Sequence, residues 1–252
     1  MVFCSLKHFS LEVCGMTTEI LPGDKALAPR GRMPNTKVYD FLACSPLIVW
    51  YGISLAVQLP DLSHRFATVL LPRSGLMPVI DLLSKLSVFL FAAALIVMLV
   101  ARRPAAAKTH GIFPRLTAFL GAYLGVGILL LPLHPLNWEL KALSTVLIFG
   151  GMSFALWGLL YLGRSISIMS EARHLVVGGP YIFVRHPLYL GEQMALLGVG
   201  LQYLSPLVVV LLGLQLTFQV YRMGFEEEIL AANFPEYADY MKRTARLIPG
   251  IY

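Results

Sequence analysis

The stretch Gly179-Pro-Tyr-Ile-Phe-Val-Arg-His-Pro-Leu-Tyr-Leu-Gly-Glu192 leads into an apolar hairpin that ends on Arg222-Met-Gly-Phe-Glu-Glu-Glu228. Pro187 suits the first position of a helix, with His186 at the cap. From Pro187 to Tyr203 a helix would run about 25 Å at 1.5 Å per residue, and Ser205-Pro206 marks the reversal. A second arm from Pro206 to Arg222 has the same length. Matched arms bring Arg222 and the Glu226–Glu228 cluster back to the depth of Arg185 and His186. Two polar clusters far apart in sequence then share one end of the hairpin, and that makes a site.

The rest of the chain is built for lipid. It is 57% hydrophobic and only 13% charged, and several apolar stretches reach the ~20 residues needed to cross a hydrocarbon core. The expected spans are Phe41 to Leu59, closed by Pro60, then Val79 to Ala101, Leu116 to Leu133 and Leu140 to Leu162. Asp61 to Pro78 reads as an external loop or interfacial turn. Asp81 and Lys85 stand four apart at the outer end of the second span, where they can pair near the headgroups. Gly121, Gly125, Gly150, Gly151 and Gly158 offer small faces for close helix packing. The expected fold is an all-α integral membrane protein: four spanning helices followed by a membrane helical hairpin and cytosolic C-terminal helices. Residues 37–252 form one membrane domain, and residues 1–36, with their mixed charges, Pro and Gly, form a flexible cytosolic extension. The N-terminus has no apolar run with a small-residue cleavage site, so no signal peptide is expected.

The basic residues set the orientation. With the N-terminus inside, sixteen of the twenty Lys and Arg fall on the cytosolic side, and only Arg65, Arg73, Lys85 and Lys141 fall outside. Both termini and the hairpin site are therefore expected in the cytosol. The net charge of +6 lies beside apolar spans rather than along one soluble face. That pattern fits topogenesis and anionic membrane lipid and excludes nucleic acid as the expected partner. Cys4, Cys14 and Cys44 lack metal-ligand spacing, as do His64, His110 and His174, so no metal site is expected.

At the hairpin mouth, the free N–H groups of the helix beginning near Pro187 favour an anion, beside the Arg185 guanidinium and the His186 imidazole. The acidic cluster opposite suits an ammonium or a pair of ribose hydroxyls. S-adenosylmethionine carries carboxylate, ammonium and sugar hydroxyls in one molecule and fits both ends; a nicotinamide nucleotide also presents anions and ribose. Glu192, two turns into the apolar helix, is either a ligand contact or a partner for Arg185.

Gly179-Pro-Tyr181, Arg185-His-Pro187, Tyr189, Gly191, Arg222, Glu226-Glu227-x-x-Leu230-x-x-x-Phe234, Tyr237 and Tyr240 together resemble the C-terminal half of the isoprenylcysteine carboxyl methyltransferase family. The wider group includes phospholipid N-methyltransferases. The resemblance covers about residues 163–250, and Pro235 departs from it where the family has a glycine. It implies a membrane-embedded methyltransferase taking S-adenosylmethionine from the cytosol and a lipophilic acceptor from the bilayer. Carried over by position, Tyr181, Arg185, His186, Pro187, Tyr189, Gly191 and Glu226 line the cofactor pocket, and Arg222 and Glu227 serve activity. The human-like enzymes carry a further arginine in the preceding helix; here Arg164 or Arg173 is the available substitute. Arg164 and Glu192 are thus the candidate acceptor contacts. The leading expectation is O-methylation of an isoprenylcysteine-like carboxylate, which is ionised near neutral pH and needs no general base. Behind it stand a lipid-amine N-methyltransferase, a nicotinamide-dependent reductase of the sterol-reductase type, and a non-enzymatic transporter or scaffold.

Overall fold

A computed structural model describes residues 36–250, apart from 71–74, 104–106, 109–110 and 168–170. The N-terminal extension up to residue 35 and His110 lie outside the described residues. The helices are α1 (Thr36–Val69), α2 (Leu76–Ala101), α3 (Ile112–Tyr123), α4 (Trp138–Leu162), α5 (Pro187–Gln202), α6 (Pro206–Asn233) and α7 (Tyr237–Arg243). Extended structure among the described residues is confined to a two-residue antiparallel pair, Ala107–Lys108 with Glu171–Ala172, and one isolated bridge, Val184 with Ala245. Among the described residues, four helical stretches are long and apolar enough to cross a membrane: Leu76–Ala101, Ile112–Leu130, Trp138–Ser165 and Pro206–Asn233.

Helix boundaries follow local chemistry. Asn137 caps α4 by accepting from Leu140 N at 3.0 Å, and Ser205 caps α6 by accepting from Val208 N at 3.3 Å. Pro187 and Pro206 each sit in the first turn, where a missing N–H costs nothing. The expected third span is an α-helix only to Tyr123 and tightens into a 3-10 turn over Leu124–Leu130.

Several expectations are corrected. Pro60 does not close the first span, because α1 runs through it to Val69 and absorbs much of the expected outer loop. At about 51 Å this 34-residue helix is longer than a ~30 Å hydrocarbon core, and its last turns carry Asp61, His64 and Arg65. There Arg65 donates to Asp61 at 2.8 Å and also pairs with Asp81 of α2. Asp81 therefore answers a base arriving from the neighbouring helix rather than Lys85 on its own. Gly150 faces open space, whereas Gly121, Gly125, Gly151 and Gly158 do sit at close approaches.

The hairpin arms also differ from expectation. α6 continues past Arg222 to Asn233, so the acidic cluster lies inside the helix rather than beyond its end. The arms do not close on each other along their length: α5 lies against α4, while α6 lies against α3. At the α4–α5 crossing an ideal Cβ on Gly151 would fall 2.5 Å from the Gly191 carbonyl oxygen, so the two backbones touch. A separate core of Cys44, Phe91, Leu95, Leu99, Ala155 and Leu159 joins α1, α2 and α4.

The connections sort into two ends. Arg65, Asp81 and Lys141 gather at one, where His134 N also donates to Gln202 O at 2.9 Å. At the other, Arg103 N donates to Arg164 O at 2.8 Å, and here lie Arg185 and the C-terminal segment.

Candidate functional site

The site starts from a turn that only glycine makes cheaply. Gly179 holds φ of +60°, the left-handed region, and opens the 3-10 turn Gly179–Ile182 that buries Tyr181. Tyr240 of α7 donates to the Tyr181 carbonyl at 2.6 Å. The chain then runs beside the C-terminal segment, where Arg185 N donates to Ala245 O at 2.8 Å and His186 N to Arg246 O at 3.1 Å. Burial pushes the Tyr240 phenol up to about 12, and burial also raises Tyr181 and Tyr237, so all three remain neutral donors at physiological pH.

Two acids divide the bases between them. Glu227 is buried, and its Oε1 accepts from Arg185 Nε at 2.8 Å and lies 3.1 Å from His186 Nε2. Its Oε2 accepts from Arg246 Nε at 2.9 Å. The Arg185 guanidinium also donates to the carbonyls of Met241 at 3.0 Å and Thr244 at 2.7 Å, which ties the tail to the hairpin mouth. Glu226 accepts instead from the Tyr189 hydroxyl at 2.6 Å and from Arg222 Nε at 3.1 Å, with His186 Nδ1 4.0 Å from its other oxygen. The Arg222 guanidinium lies over the Tyr189 ring, 4.8 Å from its centre. Glu228 is exposed and points away.

Above these pairs opens a cleft with a cavity volume of about 100 Å³ that is open to solvent. Tyr181, Arg185, His186, Tyr189 and Glu226 all line it. Of the other sequence candidates, Pro187 is buried beneath it at the start of α5, with its ring against Gly158. Gly191 lies at the α4–α5 crossing. Arg222 and Glu227 stand behind the wall, bonded to groups that line it. Arg164, just past α4, donates from Nε to Ala101 O at the end of α2 at 2.6 Å. Glu192 lies one turn deeper than Tyr189 and does not pair with Arg185, whose partners are Glu227 and the tail.

Sequence reading missed Arg246, because it sits in irregular chain where no period aligns it with Glu227. It also left out Ser165, Ser167 and His174 on the opposite wall, where Arg173, read as an available substitute for the family's further arginine, also stands. Arg173 is buried there. Among the described residues, no group of three His, Cys, Asp or Glu is placed to hold a metal ion.

Residues 140–237 match the family model of phospholipid methyltransferase. The resemblance read from the motifs is thereby borne out for that part of the chain, and it begins earlier than the motifs alone suggested, taking in α4. The chain is also similar to two curated bacterial proteins. The nickel-cobalt-cadmium resistance protein NccN of Alcaligenes xylosoxydans xylosoxydans is 34% identical over 116 residues, which is 46% of this chain and 54% of that protein. The cobalt-zinc-cadmium resistance protein CzcN of Cupriavidus metallidurans is 35% identical over 119 residues, 46% of this chain and 55% of its own. The chain thus spans about half the length of the curated relatives it matches.

Proposed function

We propose that the protein is an S-adenosylmethionine-dependent membrane methyltransferase that modifies a lipophilic acceptor drawn from the bilayer. One observation carries this reading: Tyr181, Arg185, His186, Tyr189 and Glu226, spread over two helices and a turn, line one cleft at the mouth of a membrane hairpin. The donor set fits the cofactor. Arg185, Arg173 and His186 suit its carboxylate, Glu226 its ammonium or ribose hydroxyls, and the tyrosines its base and its sulfonium charge. When bound, the cofactor supplies an electrophilic methyl group. Arg222 and Glu227 would act by holding Tyr189, Glu226, Arg185 and His186 in place, so that donor and acceptor meet in line.

The end of the bundle that carries this cleft also carries Arg102, Arg103, Arg164, Arg173 and Arg246, which argues for a cytosolic site. For the acceptor, an isoprenylcysteine-like carboxylate is one reading, with Arg222 as the group that would hold the anion. A lipid amine is the second, favoured by the match to phospholipid methyltransferase.

The test is thermal unfolding of the detergent-purified chain. S-adenosylmethionine or its demethylated product should raise the midpoint, and reduced nicotinamide nucleotide should not, since a ligand selective for the folded state stabilises it. His186→Ala and Glu226→Ala should each remove that rise while the protein still inserts. The opposite nucleotide preference would move the protein to the reductases. Labelled methyl transfer to a farnesyl-cysteine analogue and to phosphatidylethanolamine separates the two acceptors.

A further inference from the structure

At the end of the bundle opposite the cleft, three helices turn polar faces toward one space. Asp61, His64, Arg65 and Thr68 recur on α1 at the three- and four-residue spacing that places them on one face. Met77 and Asp81 share a face of α2, and Lys141 and Thr145 share a face of α4. These residues line a cavity of about 360 Å³ that is open on one side, a volume within the range of small-molecule pockets. Trp138 stands one turn before Lys141 and is exposed, as an indole is where a helix meets the headgroup layer. Phe66, Leu76 and Met77 are exposed apolar side chains at the same level.

The charges in this cavity are of both signs, and they are divided between its walls. Arg65 donates to Asp61 at 2.8 Å and also pairs with Asp81, so one guanidinium answers two carboxylates and leaves a negative charge over. Lys141 stands on the facing wall and forms an ion pair with neither acid. A metal ion does not suit the cavity, because no three His, Cys, Asp or Glu among the described residues are placed to hold one. A simple anion is opposed by the acids, and a simple cation by Arg65 and Lys141. A molecule with one charge of each sign satisfies both walls at once.

We propose that this cavity holds the zwitterionic headgroup of a membrane phospholipid, with its primary ammonium against Asp61 and Asp81 and its phosphate on Lys141. The lipid is held here and does not react. Lys141 lies near the start of α4, and Leu162, which lines the cleft, lies at its end, about 32 Å away at 1.5 Å per residue. No group bound here touches the chemistry of the cleft, and the site stands whatever that chemistry is. A primary ammonium brings three N–H donors to the two carboxylates, whereas a quaternary one brings none, and bonds between charged partners are the stronger kind. The exposed Phe66, Leu76 and Met77 give the glycerol and the first acyl carbons an apolar rim. The bound lipid also fills a gap. α1 meets α2 and α4 through side chains, around Cys44 and again where Arg65 reaches Asp81, and the headgroup joins the second of these places to α4.

The experiment titrates the delipidated full chain in detergent with didecanoyl phosphatidylethanolamine, phosphatidylcholine and phosphatidylglycerol, and with soluble O-phosphoethanolamine. Native mass spectrometry reads the bound lipid, and the melting midpoint reads the stabilisation. Phosphatidylethanolamine should bind tightest. Phosphatidylcholine lacks the N–H donors and phosphatidylglycerol lacks the ammonium, so both should bind more weakly. Lys141→Gln should weaken the phosphatidylethanolamine by about tenfold, the scale of one lost charge-assisted bond, and Lys141→Arg should keep it. Lys85→Gln removes the same charge from the same end of the bundle outside the cavity and should bind as wild type. Glu226→Ala alters the cleft and should also leave the binding unchanged. Equal affinity for the three lipids would overturn the proposal, as would wild-type binding by Lys141→Gln or an equal loss in Lys85→Gln. Loss of binding in Glu226→Ala with retention in Lys141→Gln would place the lipid in the cleft instead. An equal response to O-phosphoethanolamine would overturn the membrane as the source of the headgroup.

Discussion

Glu227→Ala tests the electrostatic anchor of the cleft most directly. The carboxylate faces Arg185, His186 and Arg246 at once, and its side chain is 6% exposed against 12% for Arg185 and 24% for Arg246. Removing the acid leaves three basic groups facing one another with their shared acceptor gone. Deleting one partner of a buried pair costs about 3–5 kcal/mol, and the partial exposure of Arg246 places the expectation at the low end, about 3 kcal/mol. For a chain of this length each kcal/mol moves the midpoint by roughly 2–4 °C, so the fall should be about 6–12 °C. Arg246→Ala is the built-in comparison. It removes the most exposed base and leaves Glu227 bonded to Arg185 and His186, so it should cost about 1 kcal/mol, roughly 2–4 °C. The assay is intrinsic-fluorescence melting in detergent at one fixed scan rate, because membrane proteins often unfold irreversibly. A Glu227→Ala midpoint within 2 °C of wild type, or a larger drop for Arg246→Ala than for Glu227→Ala, would refute the assignment of Glu227 as the common counter-charge (threshold set at about the smallest shift expected for 1 kcal/mol).

Two further outcomes follow from the packing. Gly151→Leu should abolish monodisperse protein on size exclusion, because its Cβ would meet backbone atoms of Gly191 and Ala195 and nothing flexible can give way, while Gly150→Ala should elute as wild type because nothing lies within 4 Å of the added methyl. Tyr240→Phe should cost about 1 kcal/mol at neutral pH through the lost bond to the Tyr181 carbonyl. It should also flatten the alkaline side of the stability curve. Burial raises this phenol from 10.0 to about 12, so its contribution is complete below pH 10 and disappears as pH rises toward 12, a decline the phenylalanine variant lacks.

What could be read in the sequence depended on how little geometry each inference needed. Bringing Arg185 and His186 to Glu226 and Glu227 across forty residues required only a helix rise and a proline break, and the contacts are there at 2.8 and 3.1 Å. Which acid meets which base was not legible. Neighbouring residues on a helix point about 100° apart, so the allotment of Glu226 to Tyr189 and Arg222, and of Glu227 to Arg185 and Arg246, follows from the rotation of α6 against α5. Arg246 was hidden because segment 244–249 has no repeat to predict its direction. Pro60 misled for a physical reason: proline removes one backbone donor, and near the membrane surface that loss does not stop a helix whose next turn is fastened by Asp61 and Arg65.

The limited contact between the hairpin arms goes with the glycine contact on the other side of α5. With no side chains at Gly151 and Gly191, α4 and α5 touch backbone to backbone, which draws α5 toward α4. α6 is held from the opposite direction, by Gln215 bonded to the Gly121 carbonyl and by Phe113 edge-on to Tyr221 and Phe225. Each arm is thus held by a different neighbour, and side chains meet between the arms at His186–Glu227, Tyr189–Glu226, Tyr189–Arg222 and Gln193–Gln215. Had the two arms packed on each other along their length, as a simple hairpin would, α4 and α3 would have lost the faces they now pack on.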